Sequence, residues 1–310
     1  MSFVYYLFSI LFLVLISPLV LSFIKSVKMF LLYKKPASLL QGYRNFAKLL
    51  QKECIISKES SAITKIAPFL VLSPLVLTLF FLPPIAKESY YIGFVDAFTI
   101  TGLMSLSTFF LMLLGLDSGN SFGGIGSSRE AFISALVEPA MILTIFSISL
   151  MANNLGIAKA AINLNAHFPI NHMASFTFAL ISFFILLLAE TGRIPVDNPE
   201  THLELTMVHE AMILDISGFN LALIEMASSL KFIIFASIFV SLFMPFGLGF
   251  GAVFAVPLFF VKVLLVALVV ALIETNIAKL RLFKVPNLLG IAIVFAFLSL
   301  ISFYVLGGGR

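Results

Sequence analysis

The chain has 310 residues, 61% of them hydrophobic and only 11% charged, against roughly 45–50% apolar and about 25% charged in soluble domains. That composition excludes a soluble globular protein and points to one integral to a membrane. The formal net charge of +4 follows from the way Lys and Arg are distributed between spans, described below, so the basic balance is no argument for nucleic acid.

Apolar runs fall near residues 3–24, 63–82, 94–114, 131–151, 173–189, 219–245, 251–273 and 287–306, each close to the ~20 residues that cross a hydrocarbon core of roughly 30 Å. None alternates with period two, and a run without alternation in lipid satisfies its backbone internally as a helix, which excludes a β-barrel. The expectation is an all-α integral membrane protein, a single polytopic domain over 1–310 with about eight transmembrane helices and long cytoplasmic connections. The first run has no basic segment before it and is followed by Lys25 and Lys28 instead of a small-residue cleavage site, so it reads as a retained span. Lys34, Lys35, Arg44, Lys48, Lys52, Lys58, Lys65, Arg129, Arg193, Lys279, Arg281 and Lys284 fall on the same side by alternation, whereas Lys87, Lys159 and Arg310 fall on the other. Basic residues are retained inside, so both termini are expected outside, with the chain multi-pass in the inner (cytoplasmic) membrane.

In the first inner connection, Leu39, Leu40, Tyr43, Phe46, Ala47 and Leu50 recur at helical spacing opposite Arg44, Lys48, Gln51 and Lys52. This predicts an amphipathic helix that either lies on anionic lipid or docks a partner. Cys54 is the single cysteine, too few thiolates for a cluster or a structural zinc site. The second inner connection, LDSGNSFGGIGSSRE from Leu116 to Glu130, lacks the GK[ST] ending of a phosphate loop. It reads as a turned contact loop, with Ser127 or Ser128 capping the next helix and Glu130 in its first turn.

The third connection, AETGRIPVDNPETHLELTMVHEAMILDISG from Ala189 to Gly218, gathers charge that the rest of the chain avoids. Glu190, Asp197, Glu200, His202, Glu204, His209, Glu210 and Asp215 surround Arg193, and clustered acids shift one another's pKa, a property enriched at functional sites. Asn198 as N-cap and Pro199 at the first helical position predict a helix to about Asp215. Arg193 is expected to pair with Asp197, Glu200 or Glu204. His202 and His209 lack HExxH spacing and a third ligand, so no metal site is expected. Within the spans, Glu138, Glu225, Lys231 and Lys262 are costly to bury. Glu225 with Lys262 is the expected structural pair, a proton or ion relay the functional alternative, and Lys231 could also snorkel.

Three ordered segments, SLLQGYRNFAKLLQKE, FGGIGSSREAFISALVEP and the third connection, resemble the membrane-anchor subunit of energy-converting nickel-iron hydrogenases and formate hydrogenlyase. That family is related to the NADH dehydrogenase subunit 1 family of respiratory complex I. The pattern at Glu190, Arg193, Pro195, Asp197 and Glu200 is common to both branches, whereas HLELTMVHEAMILDISG resembles the hydrogenase branch. The resemblance implies an anchor for the hydrogenase large and small subunits at the cytoplasmic face, coupling electron transfer to proton or sodium movement through antiporter-like membrane subunits. It implies no cofactor in this chain, with the nickel-iron centre and iron-sulfur clusters in partners. It marks Glu138, Glu190, Arg193, Asp197, Glu204, Glu210, Asp215 and Glu225 for relay or coupling, and Arg44, Lys48 and Arg129 for docking. The alternatives are a quinone-binding subunit of a complex I-like oxidoreductase and an independent ion transporter, although the inverted repeats that mark many transporters are not apparent.

Overall fold

A computed structural model describes residues 2–57, 60–82, 96–197, 207–247 and 252–307. Its helices are α1 (Ser2–Leu31), α2 (Gln41–Leu50), α3 (Ile63–Phe81), α4 (Ala97–Asp117), α5 (Ser121–Met151), α6 (Ile157–Ala166), α7 (Met173–Glu190), α8 (His209–Met212), α9 (Gly218–Phe243), α10 (Ala252–Asn276) and α11 (Val285–Gly307). Among the described residues there is no strand, only a single bridge between Asp96 and Gly156. Among the described residues eight stretches are long and apolar enough to cross a bilayer, and each overlaps one of the eight runs read from the sequence. The protein is an all-α, multi-pass membrane protein.

α9 is the axis of the bundle. In its most apolar stretch 83% of the residues are buried, against 22% in the last span, so α9 is wrapped by protein while α11 faces outward. Phe232, Ile233, Ile234 and Phe235 are fully enclosed, and Phe183 of α7 packs against Phe235, Phe239 and Phe243. Lipid is as apolar as these side chains, so close packing and hydroxyl hydrogen bonds must hold the helices together. Ser17 pairs with Ser229 at 3.1 Å, Thr144 with Ser182 at 2.9 Å, and Ser299 with Ser147 at 3.0 Å.

α2 is the expected amphipathic helix, confined to Gln41–Leu50, and Gly42 seats it on α1. A Cβ there would lie 2.9 Å from the Pro18 carbonyl oxygen. The Gly42 amide instead donates to Ser22 Oγ at 3.0 Å, and the Tyr43 hydroxyl to the Leu15 carbonyl. The connection then runs to the start of α9, where the Ile55 amide donates to Ser217 Oγ at 2.8 Å. Gly218 (φ +58°) lies so near Glu53 that a Cβ would be 2.5 Å from its carbonyl oxygen.

Two expectations are corrected. The Gly- and Ser-rich stretch is not a loop beyond Asn120, because α5 begins at Ser121, with the Asn120 side chain accepting from the Phe122 amide at 3.1 Å. Its glycines admit neighbouring backbone: a Cβ at Gly123 would be 2.3 Å from the Gly115 carbonyl oxygen, and one at Gly126 would be 2.9 Å from that of Val208. Ser127 therefore caps nothing, donating across to the Met112 carbonyl at 2.9 Å, and Glu130 lies well inside the helix. In the third connection, residues 198–206, which include Pro199, Glu200, His202 and Glu204, lie outside the described residues. Beyond them the helix does not continue to Asp215; it is the single turn α8, ending at Met212.

The glycine contacts make a direct comparison. Gly123→Ala should destabilise the chain by about 1–3 kcal/mol, the usual cost of overpacking. Gly124→Ala, next to it with nothing within 4 Å, should be neutral or stabilising by up to about 1 kcal/mol. Thermal unfolding of the two variants in detergent measures the difference, and equal shifts would mean that the α4–α5 approach does not depend on Gly123.

Candidate functional site

Residues of α3, α4, α5, α7, α8 and α9 enclose a cavity whose polar lining includes Thr108, Glu130, Glu190, Asp197, His209 and Lys231. The space open to the centres of water-sized molecules is about 40 Å³, against the ~10–15 Å³ that one buried water needs. The cavity can hold a short file of water.

α7 delivers the site. It ends at Glu190, and Gly192 at φ +59° reverses the chain, in a conformation that suits glycine. The amides of Val196 and Asp197 then bond back to the Arg193 carbonyl, and this turn directs the two charged side chains to different neighbours. Arg193 reaches Glu274 of α10 at 3.1 Å and lies 5.4 Å from the Phe232 ring centroid. Glu274 also holds Lys28 of α1 at 3.4 Å. Asp197 bonds Lys279 at 2.6 Å and accepts from the amides of Val208 and His209 at 3.3 and 3.2 Å. The expected Arg193–Asp197 pair is therefore not formed, and Asp197 supplies the acceptor at the start of α8.

Lys231 of α9 reaches the cavity and forms a 2.6 Å ion pair with Glu190, while donating to Thr108 at 3.1 Å. It does not snorkel. Glu130 and Glu138 also act on it through space. Beside them, burial holds the His209 imidazole below its ordinary pKa against the opposing pull of Glu210 and Asp197, which keeps it neutral near pH 7.

The remaining expected residues are dispersed. Glu138 is half-buried on α5 beside Pro139, and Asp215 is exposed just past α8. Glu225 is exposed near the inner end of α9, where the charges of Lys25 and Glu210 act on it. Its expected pairing with Lys262 does not occur, because α9 and α10 run in opposite directions and place the two residues in opposite halves of the bundle. Lys262 donates to the Met244 and Phe246 carbonyls. Arg44 and Lys48 are exposed on α2, free to meet a partner. Arg129 is half-buried, and its guanidinium donates to the Met207 carbonyl at 3.0 Å, so it braces the return of the third connection.

A model of the NADH dehydrogenase family matches residues 1–306. The chain belongs to that family. It is 28% identical over 307 residues to formate hydrogenlyase subunit 4 of Escherichia coli strain K12, covering 97% of this chain and 99% of that protein. Hydrogenase-4 component C of the same organism is 28% identical over 226 residues, 73% of this chain and 70% of that one. A subunit of the NADH-quinone oxidoreductase of Anaplasma marginale (strain St. Maries) is 24% identical over 211 residues, 64% and 57% respectively. Among solved structures, a chain of the membrane-bound sulfane sulfur reductase, an archaeal respiratory membrane complex, superposes with a TM-score of 0.84 at 15% identity, covering 97% and 98% of the two chains. That likeness establishes a common fold.

Several members of this charge network escaped sequence reasoning. Glu274 lies one residue past the predicted end of its span at 273, so it read as part of a connection. Its signal was that it is the single acid between residues 216 and 310 besides Glu225. Glu130 read as a first-turn acid because the start of α5 was placed too late.

Glu274 makes the network testable. Glu274→Gln leaves Arg193 buried without its carboxylate and removes one partner of Lys28, and should cost about 3–5 kcal/mol, the range for breaking a buried pair. Adding Arg193→Met to that variant should recover part of the loss, because the cation that has lost its carboxylate is removed with it. Strictly additive losses in the thermal unfolding of the two single variants and the double variant would show that the two side chains are not coupled.

Proposed function

We propose that this chain is the membrane subunit of an energy-converting hydrogenase or formate hydrogenlyase complex. In this reading it anchors the hydrogenase large and small subunits at the cytoplasmic face and couples electron transfer there to proton or sodium movement, with antiporter-like membrane subunits as further partners. The likeness to formate hydrogenlyase subunit 4 extends from end to end, whereas the likeness to the quinone oxidoreductase protein covers 57% of its length, which favours the hydrogenase reading over a quinone-binding one. The nickel-iron centre and iron-sulfur clusters belong to partners, and this chain contributes protonatable groups. The concentration of Lys and Arg in the inner connections supports an inner-membrane location with both termini outside.

The observation that carries the coupling role is the Glu190–Lys231 pair, which stands where the water-sized cavity meets the bundle core. Glu190, Glu130 and Glu138 all act on Lys231, so acidic side chains outnumber the cation. A proton arriving through the cavity on Glu190 would weaken its hold on Lys231 and shift the ammonium's attraction toward Glu130 and Glu138. Arg193 and Asp197 serve as positioning residues: each fixes one side of the turn that carries Glu190. Glu210 and Glu225, with Lys25, lie at the inner approach, and Glu204 completes the acidic run of the connection. Exposed Asp215, with Arg44 and Lys48 on α2, would meet the docked partner.

Copurification tests the assembly directly, because nickel-bearing subunits should accompany the tagged chain. In the assembled complex, Glu190→Gln and Lys231→Met should lower ion transport per turnover about tenfold or more, equivalent to ~1.4 kcal/mol. Hydrogenase activity with artificial electron carriers should be retained. Arg193→Lys and Asp197→Asn should act in the same direction, since neither substitute reproduces the charge geometry. Unchanged ratios of transport to turnover in all four variants would leave the acidic segment a docking surface.

A further inference from the structure

Lys262 is buried in α10, ten residues from Ala252, or about 15 Å along the helix axis. No carboxylate pairs with it among the described residues. Its ammonium instead meets the end of α9, where the helix gives way to the non-helical residues Met244–Gly247. It donates to the Met244 carbonyl at 2.8 Å and to the Phe246 carbonyl, and lies 4.8 Å from the Phe246 ring centroid. Val240, Ser241, Ala255, Leu258 and Phe259 enclose the rest of this small recess.

The negative end of the α9 dipole, two carbonyl oxygens and an aromatic face converge on one positive charge, with no anion beside it among the described residues. An unwound helix end whose carbonyls replace a hydration shell is how membrane proteins hold monovalent cations, and an aromatic face adds attraction for any cation. Divalent ions favour carboxylate oxygens, and none lines this recess among the described residues. From this geometry we propose that the Met244–Phe246 turn is a monovalent-cation site, occupied in this chain by the tethered ammonium of Lys262. The lysine makes the fold of the α9–α10 junction independent of ambient cation. A neutral side chain at this position would open the site to a free alkali ion.

The test uses the full-length chain in detergent, with thermal unfolding in sodium chloride, potassium chloride and choline chloride at equal ionic strength. The unsubstituted protein should unfold at the same temperature in all three. Lys262→Met should unfold well below it in choline chloride and recover most of that loss, saturably, in the alkali salt whose ion fits the recess, while Lys262→Arg should behave as the unsubstituted protein. A Lys262→Met loss that is identical in every salt would reduce Lys262 to a helix cap and overturn the proposal. So would an alkali dependence of equal size in the unsubstituted protein. If Lys262→Met yields no folded chain, Lys262→Gln, whose amide can still donate to one carbonyl, carries the same comparison. Failure of both variants to fold in any salt also overturns the proposal.

Discussion

The architecture depends on what it costs to hold charge in a low-dielectric bundle. An ionisable side chain near the centre of a span costs at least about 2.5–3.5 kcal/mol on insertion scales, and an unpaired buried charge costs more. Each charged group deep in this protein accordingly has a particular answer. Glu274 serves two cations, Lys28 and Arg193, from elements far apart in sequence. Asp197 is satisfied by Lys279 and two backbone amides. Lys231 has Glu190, and Lys262 has carbonyls in place of a carboxylate. These arrangements fix where the third connection, α1, α8 and α10 lie relative to α9.

The same constraint explains why ionisable side chains gather around the water-sized cavity. There the bundle opens enough to admit water, and side chains from α4, α5, α7 and α9 converge. A carboxylate at such a place can change protonation without the full penalty of the bilayer centre. The aromatic seam of Phe183, Phe235, Phe239 and Phe243 closes the bundle beyond it. Chemistry and insulation are thus divided along one helix.

The spans and the amphipathic α2 were legible because each rests on a local signal: run length and helical spacing. The acidic third connection was legible as a concentration of charge, and Glu190, Asp197 and Arg193 do lie together. Their partners were not legible. Arg193 bonds a residue 81 positions away and Asp197 one 82 positions away, and no spacing rule reaches that far. The start of α5 was misplaced for another reason. Gly123 and Gly126 are unfavourable in an isolated helix but are required where α4 and α8 approach, so tertiary packing overrode local propensity. The Glu225–Lys262 pairing failed because opposite charges on neighbouring spans meet only at matching depth, and depth was not weighed.

α9 links three of the features described above. It begins against the first inner connection through Ser217 and Gly218, carries Lys231 into the cavity, and ends in the turn that Lys262 holds. An unbroken helix of 26 residues is about 39 Å long and resists compression along its axis. Its two ends therefore behave as the ends of a strut: an axial displacement imposed at Gly218 is carried to Phe243, beside the turn that Lys262 holds.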